Sequence, residues 1–101
     1  MGLFSLLFGN KNQTIKDFQN KGAIIIDVRT PAEYSQGAIA GSINIPLQSI
    51  NSKIDTIKTL NKPVITCCAS GIRSSKATST LKQNGIECIN GGDWASLKNK
   101  L

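Results

Sequence analysis

The stretch PVITCCASGIRSSKA, residues 63–77, changes from a strand pattern to a helix pattern within fifteen residues. Its first part, Val64–Cys67, is a largely apolar, β-branched run, which is typical of strands that are buried on both faces of a parallel sheet. A glycine-containing loop follows, and a helical pattern begins near Arg73. Because ligands of open α/β folds bind at the carboxyl ends of the strands, this loop is where chemistry is expected.

The same alternation extends over most of the chain. Ala23–Val28 predicts another buried strand, and shorter strands are expected at Ser42–Ile45 and at Ile86–Ile89, the last followed by a turn at Gly91-Gly92. Helical patterns are present over residues 14–22, 30–37, 50–60, 73–84 and 94–101. Strands that alternate with helices at short spacing predict an α/β fold with a central parallel sheet, of which four strands are visible.

The charge distribution narrows the class of partner. Twelve cations and six acidic groups give a net charge of +6. Ten of the cations are lysines that are scattered along the chain, and the two arginines are Arg29 and Arg73. Nucleic-acid-binding proteins concentrate arginines and stacking aromatic residues on one surface, so no nucleic-acid partner is predicted. A lysine-rich surface can instead steer small anions toward a cleft.

Three cysteines, Cys67, Cys68 and Cys88, and the lack of histidine limit the available chemistry. A low, odd number of cysteines is typical of a reducing compartment, which predicts a cytoplasmic protein without a disulfide framework. Adjacent cysteines lack the spacer of a zinc site, so no metal site is predicted. Without histidine there can be no Cys-His pair, and a thiolate nucleophile has to be activated in another way.

Residues 1–11 are predicted to form a short N-terminal extension of a single domain at residues 12–101. The extension contains an apolar run, Leu3–Phe8, which is too short to span a bilayer, since a spanning helix needs ~20 residues. It also lacks the basic segment and the cleavage site of a secretory signal. We expect its apolar side chains to pack onto the domain. Peripheral membrane contact by residues 1–10, or docking of a partner there, is the alternative.

The loop after the cysteines has the composition of an anion-binding site with an activated thiol. Loop amides and the positive end of the following helix lower the pKa of a cysteine at this position without help from histidine. Gly71 allows the backbone to turn its amides inward, and Ser70 and Ser74 can donate hydroxyl groups. Arg73 adds a planar cation that suits a sulfonate or a phosphate.

Two cysteines compete for the role of nucleophile. Counted from Cys67 to Arg73 the loop is C-x5-R, the spacing of a phosphatase phosphate loop, whereas counted from Cys68 it is C-x4-R. A phosphate monoester needs a wider ring of amides, and its leaving group also needs an acid, for which no carboxylate stands in an obvious place. These residues alone leave phosphatase chemistry at Cys67, chemistry at Cys68 and a non-catalytic binding module open.

Three stretches resemble the rhodanese family of sulfurtransferases. IIIDVRTPAEYSQGAIAGSINIP, residues 24–46, resembles the first signature of the family, and residues 63–77 resemble its active-site stretch, C-x-x-G-x-R-S. INGGDW, residues 89–94, resembles the closing double glycine with its tryptophan. The resemblance covers most of the chain, with two departures: Ala38 stands where histidine is common, and Trp94 follows the glycines more closely than is usual.

The resemblance implies a fold and a reaction. The implied fold is a rhodanese-like α/β domain with a central parallel sheet of about five strands flanked by helices. The implied reaction transfers sulfane sulfur from thiosulfate, a polysulfide or a protein persulfide to cyanide or to a thiol, which can belong to a protein. It proceeds through a cysteine persulfide and needs neither a metal nor an organic cofactor.

The family pattern also selects the nucleophile. Because Gly71 stands three residues and Arg73 five residues after Cys68, the resemblance implies Cys68 as the catalytic cysteine. Cys67 comes one residue earlier on the strand, so it is predicted to point to the opposite face and, like Cys88, to be buried. A phosphatase that uses Cys67 and a non-catalytic binding module remain as alternatives.

The other residues of the motifs receive binding or supporting roles. Asp27 and Arg29 are expected to tie the end of their strand to neighbouring loops rather than to touch substrate, and Glu33 is expected to cap a helix. Trp94 is predicted to lie in the core or in a cleft wall. The residues implied to bind substrate are Ala69, Ser70, Gly71, Ile72, Arg73 and Ser74.

Overall fold

The computed structural model describes residues 11–101, which form one parallel sheet with helices packed on both faces. The strands are β1 (Ile24–Asp27), β2 (Ile43–Asn44), β3 (Val64–Cys68) and β4 (Cys88–Asp93). The helices are α1 (Lys11–Asn20), α2 (Pro31–Ser35), α3 (Ile54–Leu60), α4 (Ile72–Gln83) and α5 (Trp94–Lys100), and 3-10 turns occupy Leu47–Ser49 and Asn51–Lys53.

The strands pair in parallel in the order β2-β1-β3-β4. This order confirms the predicted α/β fold with a central parallel sheet. The expectation of about five strands is wrong, because residues 11–101 contribute four. The fifth strand came from the family resemblance, whereas the described residues hold only four runs that pair as strands, and the stretch ahead of β1 is helix α1.

Alternation along β3 sends its side chains into two apolar clusters, one on each face of the sheet. Val64 and Cys68 belong to the cluster that is covered by α3 and α4. Ile65 and Cys67 belong to the cluster that is covered by α1 and α5. The prediction that Cys67 is buried on the face opposite to Cys68 is therefore confirmed. Cys88 is also buried, as predicted, and lies in the cluster of Cys68.

Strand β4 differs from its prediction. The predicted fourth strand is present, but its bounds of residues 86–89 are wrong, because β4 begins at Cys88 and ends at Asp93. The expected turn at the two glycines is also wrong, because both lie within β4. Gly91 explains the continuation: a Cβ at this position would lie 2.7 Å from the Thr66 carbonyl oxygen. Only glycine lets the strand pass this close to β3, where the register of the pairing also shifts.

The apolar stripe at residues 50–60 forms two elements instead of the one predicted helix. One amphipathic helix was expected, but the 3-10 turn at Asn51–Lys53 precedes α3, which starts at Ile54. Ile50, Ile54 and Ile57 are buried, whereas Leu60 is exposed. Asn61 adopts a left-handed conformation directly after Leu60 and ends the helix.

The expectations for the N-terminal extension fall outside the described residues, except for residue 11, which is the first residue of α1. Among residues 11–101, no helix combines the length and the hydrophobicity that a membrane-spanning helix requires.

Candidate active site

Cys68 is the last residue of β3, and the loop at residues 69–71 connects it to the first residue of α4. Gly71 precedes this helix with a φ of 100°, a backbone conformation that side chains with a Cβ rarely adopt. A Cβ on Gly71 would also lie 3.3 Å from the Cα of Gly92. Glycine therefore allows the loop to turn tightly over the cysteine while it packs against β4.

The Cys68 sulfur accepts hydrogen bonds from the loop and from the first turn of α4. The donors are the Gly71 amide at 2.9 Å, the Ser74 hydroxyl at 3.3 Å and the Ser74 amide at 3.5 Å. Burial of Cys68 acts to raise the pKa of its thiol, but hydrogen bonds from Ser74, Ser70 and Gly71 favour the thiolate more strongly. The net result is a pKa below the ordinary value for cysteine.

The two other cysteines lie in environments that favour the thiol. Burial, together with the nearby charge of Asp27, raises the pKa of Cys67 to about 12. Burial raises the pKa of Cys88 to about 11. All three cysteines are free. Cys68 therefore differs from its neighbours in the direction of its pKa shift, which favours it as the nucleophile.

The pH dependence of alkylation tests this environment. Because only the thiolate reacts and its pKa is lowered in the folded protein, we expect the midpoint of the iodoacetamide reaction of Cys68 to lie below the ordinary cysteine value of about 8.5. The reaction is expected to persist below that ordinary value and to fade only as the pH falls through the lowered pKa. Peptide fragmentation in the mass spectrometer assigns the label.

The same protein unfolded in urea is the control for the alkylation profile. There all three cysteines are expected to react with an ordinary midpoint. In the folded protein, Cys67 and Cys88 are expected to stay unmodified at neutral pH. A midpoint for Cys68 at or above the ordinary value would contradict the assignment of a stabilised thiolate.

Arg73 and Glu33 form an ion pair beside the loop. The two Nη groups of Arg73 donate to the two carboxylate oxygens of Glu33 at 2.7 Å and 2.9 Å. Arg73 holds the pKa of Glu33 at about 2, and hydrogen bonds from Thr30 contribute to this shift. Glu33 also completes the predicted capping box of α2 with Thr30. The sequence predicted only the cap, because no local pattern connects two residues that lie forty positions apart.

Arg73 was predicted to bind the anionic part of a donor. In the structure its guanidinium is engaged by Glu33, and about a third of its side chain remains exposed. The hydrogen bond with Glu33 is the main cause that raises the pKa of Arg73, and the negative charge of Cys68 makes a smaller contribution. Donor binding by Arg73 stays a prediction.

Asp27 and Arg29 form a buried ion pair at the end of β1. Arg29 Nε donates to both carboxylate oxygens of Asp27 at 3.0 Å, and Nη2 donates to one of them at 2.7 Å. Arg29 also donates to the carbonyl oxygens of Gly37 and Glu33, and its guanidinium lies 4.7 Å from the centre of the Trp94 ring. The pair thus connects the end of β1 to the middle of α2, to Gly37 after that helix and to α5.

Asn90 in β4 is a site residue to which the sequence assigned no role. Its Oδ1 accepts hydrogen bonds from the Ser74 hydroxyl at 2.7 Å and from the Gly92 amide at 2.9 Å. Its Nδ2 donates to the Gly71 carbonyl at 3.0 Å. The available signal was its place directly after the strand that was predicted at residues 86–89, where ligands of α/β folds bind.

The remaining loop residues lie at the surface. Ala69 and Ser70 are exposed, and Ile72 is 68% exposed at the start of α4. Cys68 itself has no exposed surface, so the loop has to open before the sulfur can react with a partner.

Among residues 11–101, no group of three or more His, Cys, Asp or Glu side chains could hold a metal ion.

A groove of about 510 Å³ lies away from the cysteine loop. It is bordered by the end of α3, the start of β3 and the connection between α4 and β4. None of the residues that line it belongs to the loop or to the first turn of α4. The geometry around Cys68, and not this groove, therefore defines the candidate site.

Fold and site together define a class of α/β proteins in which a cysteine at the end of a buried strand faces an amide-lined loop and the start of a helix. The rhodanese-like domain family matches residues 11–96. The chain belongs to this family.

Individual relatives agree with this assignment. The chain is 43% identical over 63 residues to the uncharacterized protein YqhL of Bacillus subtilis; the match covers 62% of this chain and 49% of that protein. It is 36% identical over 90 residues to thiosulfate sulfurtransferase 16, chloroplastic, of Arabidopsis thaliana, with 75% of each protein covered. A solved rhodanese with anions from Escherichia coli superposes with a TM-score of 0.67 at 33% identity, over 72% of this chain and 88% of that one. The chain spans about half the length of the Bacillus protein.

Proposed function

We propose that this protein is a sulfurtransferase that carries sulfane sulfur as a persulfide on Cys68. The observation that carries the proposal is the set of hydrogen bonds on the Cys68 sulfur, which favours a thiolate in a chain without histidine. Membership in the rhodanese-like domain family and similarity to a protein named thiosulfate sulfurtransferase support it.

The reaction has two displacement steps on sulfur. The Cys68 thiolate attacks the sulfane sulfur of the donor, a sulfur–sulfur bond forms, and the donor bond breaks with its electron pair on the leaving group, which is sulfite when thiosulfate is the donor. An acceptor thiolate or cyanide then attacks the outer sulfur of the persulfide. The Cys68–sulfur bond breaks and returns its electron pair to Cys68, so neither an oxidant nor a reductant is consumed.

The loop residues stabilise the negative charge on the Cys68 sulfur, which is lost in the first step and returns in the second. The amides of Ser70, Gly71 and Ser74 and the Ser74 hydroxyl stabilise the attacking thiolate and the same thiolate when it leaves. The proposed donors are thiosulfate, a polysulfide or a protein persulfide, and the proposed acceptor is cyanide or a thiol, including one on a protein. We place this reaction in the cytoplasm and propose neither a metal nor an organic cofactor.

A phosphatase that uses Cys67 fits the geometry less well. Cys67 lies in the apolar cluster on the face of the sheet opposite to the loop, and burial raises the pKa of its thiol to about 12. A nucleophile in this place cannot approach a phosphate that is bound by the loop amides. The one-residue shorter loop that starts at Cys68 is therefore the reactive one.

The test is mass spectrometry of the protein after incubation with thiosulfate or with a polysulfide. We expect a mass increase of one sulfur atom on a peptide that contains Cys68, which disappears when cyanide or a thiol is added, with thiocyanate or a persulfide as the product. A protein that gains no sulfur from either donor, or that instead hydrolyses a phosphomonoester, would contradict the proposal. The first result would favour the binding module and the second the phosphatase.

A further inference from the structure

Asn90 connects the two groups that stabilise the Cys68 thiolate most directly. Its Oδ1 contacts the hydroxyl of Ser74, and its Nδ2 contacts the carbonyl oxygen of Gly71. The same two residues donate to the Cys68 sulfur through the Ser74 hydroxyl and the Gly71 amide. Asn90 itself is partly buried in β4 and acts on the sulfur only through these neighbours.

We propose that Asn90 is a positioning residue that sets the reactivity of Cys68 by fixing the Ser74 side chain and the Gly71 backbone beside the sulfur. The proposal rests on the proposed function in one respect, namely that Cys68 is the nucleophile.

The Ser74 hydroxyl has one proton and two acceptors. Asn90 Oδ1 lies 2.7 Å from the hydroxyl oxygen, and the Cys68 sulfur lies 3.3 Å from it. The two acceptors share this proton, so the hydrogen bond to Asn90 fixes the rotamer of Ser74 that keeps its hydroxyl beside the sulfur. The Gly92 amide also donates to Oδ1, which holds this acceptor in place.

The Gly71 backbone is held on both sides of its Cα. Its amide donates to the Cys68 sulfur, and its carbonyl oxygen, in the next peptide group, accepts from Asn90 Nδ2 and from the Ser75 amide. Glycine at a positive φ has more conformational freedom than any other residue, so an anchored carbonyl keeps the amide directed at the sulfur. Donors that are held in place before the charge develops stabilise it without a further cost of reorganisation.

The Asn90→Ala variant tests the proposal through the alkylation profile of Cys68. We expect the midpoint to move to higher pH and the reaction at neutral pH to become about tenfold slower, because the Ser74 side chain loses the contact that fixes it and the Gly71 carbonyl oxygen keeps only the Ser75 amide. Asn84→Ala is the matched control: Asn84 is also partly buried, and its amide donates to a carbonyl oxygen, but it lies at the other end of α4. Its profile is expected to equal that of the wild type.

A double-mutant cycle with Ser74→Ala separates positioning from a general loss of structure. If Asn90 acts through the Ser74 hydroxyl, Asn90→Ala moves the midpoint less in the Ser74→Ala background than in the wild type. Equal shifts in both backgrounds, or an unchanged midpoint in Asn90→Ala, would overturn the proposal. Thermal unfolding of each variant shows whether the fold is retained.

Asn90→Leu serves if the alanine variant does not fold. Leucine is similar in size to asparagine and uncharged, but it neither accepts from the Ser74 hydroxyl nor donates to the Gly71 carbonyl oxygen, so the midpoint is expected to rise. A midpoint equal to that of the wild type would overturn the proposal here as well. Alkylation needs no sulfur donor, so a failed sulfur-transfer assay and a failed role of Asn90 remain distinguishable.

Discussion

Serine at position 68 is expected to abolish sulfur transfer, whereas serine at position 67 is expected to leave most of it. A serine hydroxyl is not ionised near neutral pH and cannot carry a persulfide, so the Cys68→Ser variant should form thiocyanate no faster than a protein-free blank. Cys67 lies on the opposite face of β3, away from the loop donors. Its replacement places a hydroxyl in an apolar cluster, which costs stability, about 1–3 kcal/mol, rather than chemistry.

The measurement combines thiocyanate formation from thiosulfate and cyanide with mass spectrometry of the persulfide. Cys88→Ser is the matched control, because Cys88 is also buried but lies at the opposite end of the sheet from the loop, at the first residue of β4. Sulfur adduct that survives in Cys68→Ser and vanishes in a folded Cys67→Ser variant would contradict the assignment of the nucleophile. Loss of sulfur transfer in both Cys68→Ser and a folded Cys67→Ser variant would assign the Cys67 thiol a part in releasing the sulfur.

Most of the fold could be predicted because its signals are local. A buried β-branched run such as Ile24–Asp27 and a capped helix start such as Thr30 with Glu33 are determined by neighbouring residues. β4 could not be predicted in the same way, because its two glycines indicate a turn unless a neighbouring strand lies too close for any side chain. Gly91 meets that condition only once β3 is in place.

The candidate site likewise has features that local sequence predicts and features that it does not. The position of Cys68 at a strand end followed by a glycine loop follows from the sequence, and the hydrogen bonds on its sulfur agree with it. The contacts of Arg73 with Glu33, and of Asn90 with Ser74, join residues from separate elements. Such pairs depend on how α2, α4 and β4 pack, which local residue patterns do not encode.

Loss of the Asp27 charge is expected to cause the largest change in stability. Asp27 is fully buried, and only about a twentieth of the Arg29 side chain is exposed, so Asp27→Asn leaves a buried guanidinium without its counter-charge. Removing one partner of such a pair costs roughly 3–5 kcal/mol, a large part of the roughly 5–15 kcal/mol that stabilises a domain. Urea unfolding, followed by circular dichroism, should show a midpoint shifted to much lower urea concentration.

Glu87→Gln provides the matched comparison for Asp27→Asn. The Lys21–Glu87 pair has a similar distance of 2.9 Å, but both side chains are more than half exposed, so solvent screens the pair and its loss is expected to shift the urea midpoint far less. Equal effects of the two substitutions would contradict a supporting role for the buried pair. We expect the larger effect for Asp27→Asn, because its pair is buried. Arg29 also donates to a carbonyl oxygen of α2, and α2 carries the Glu33 carboxylate that pairs with Arg73. On that basis the variant should also weaken the ion pair beside the Cys68 loop.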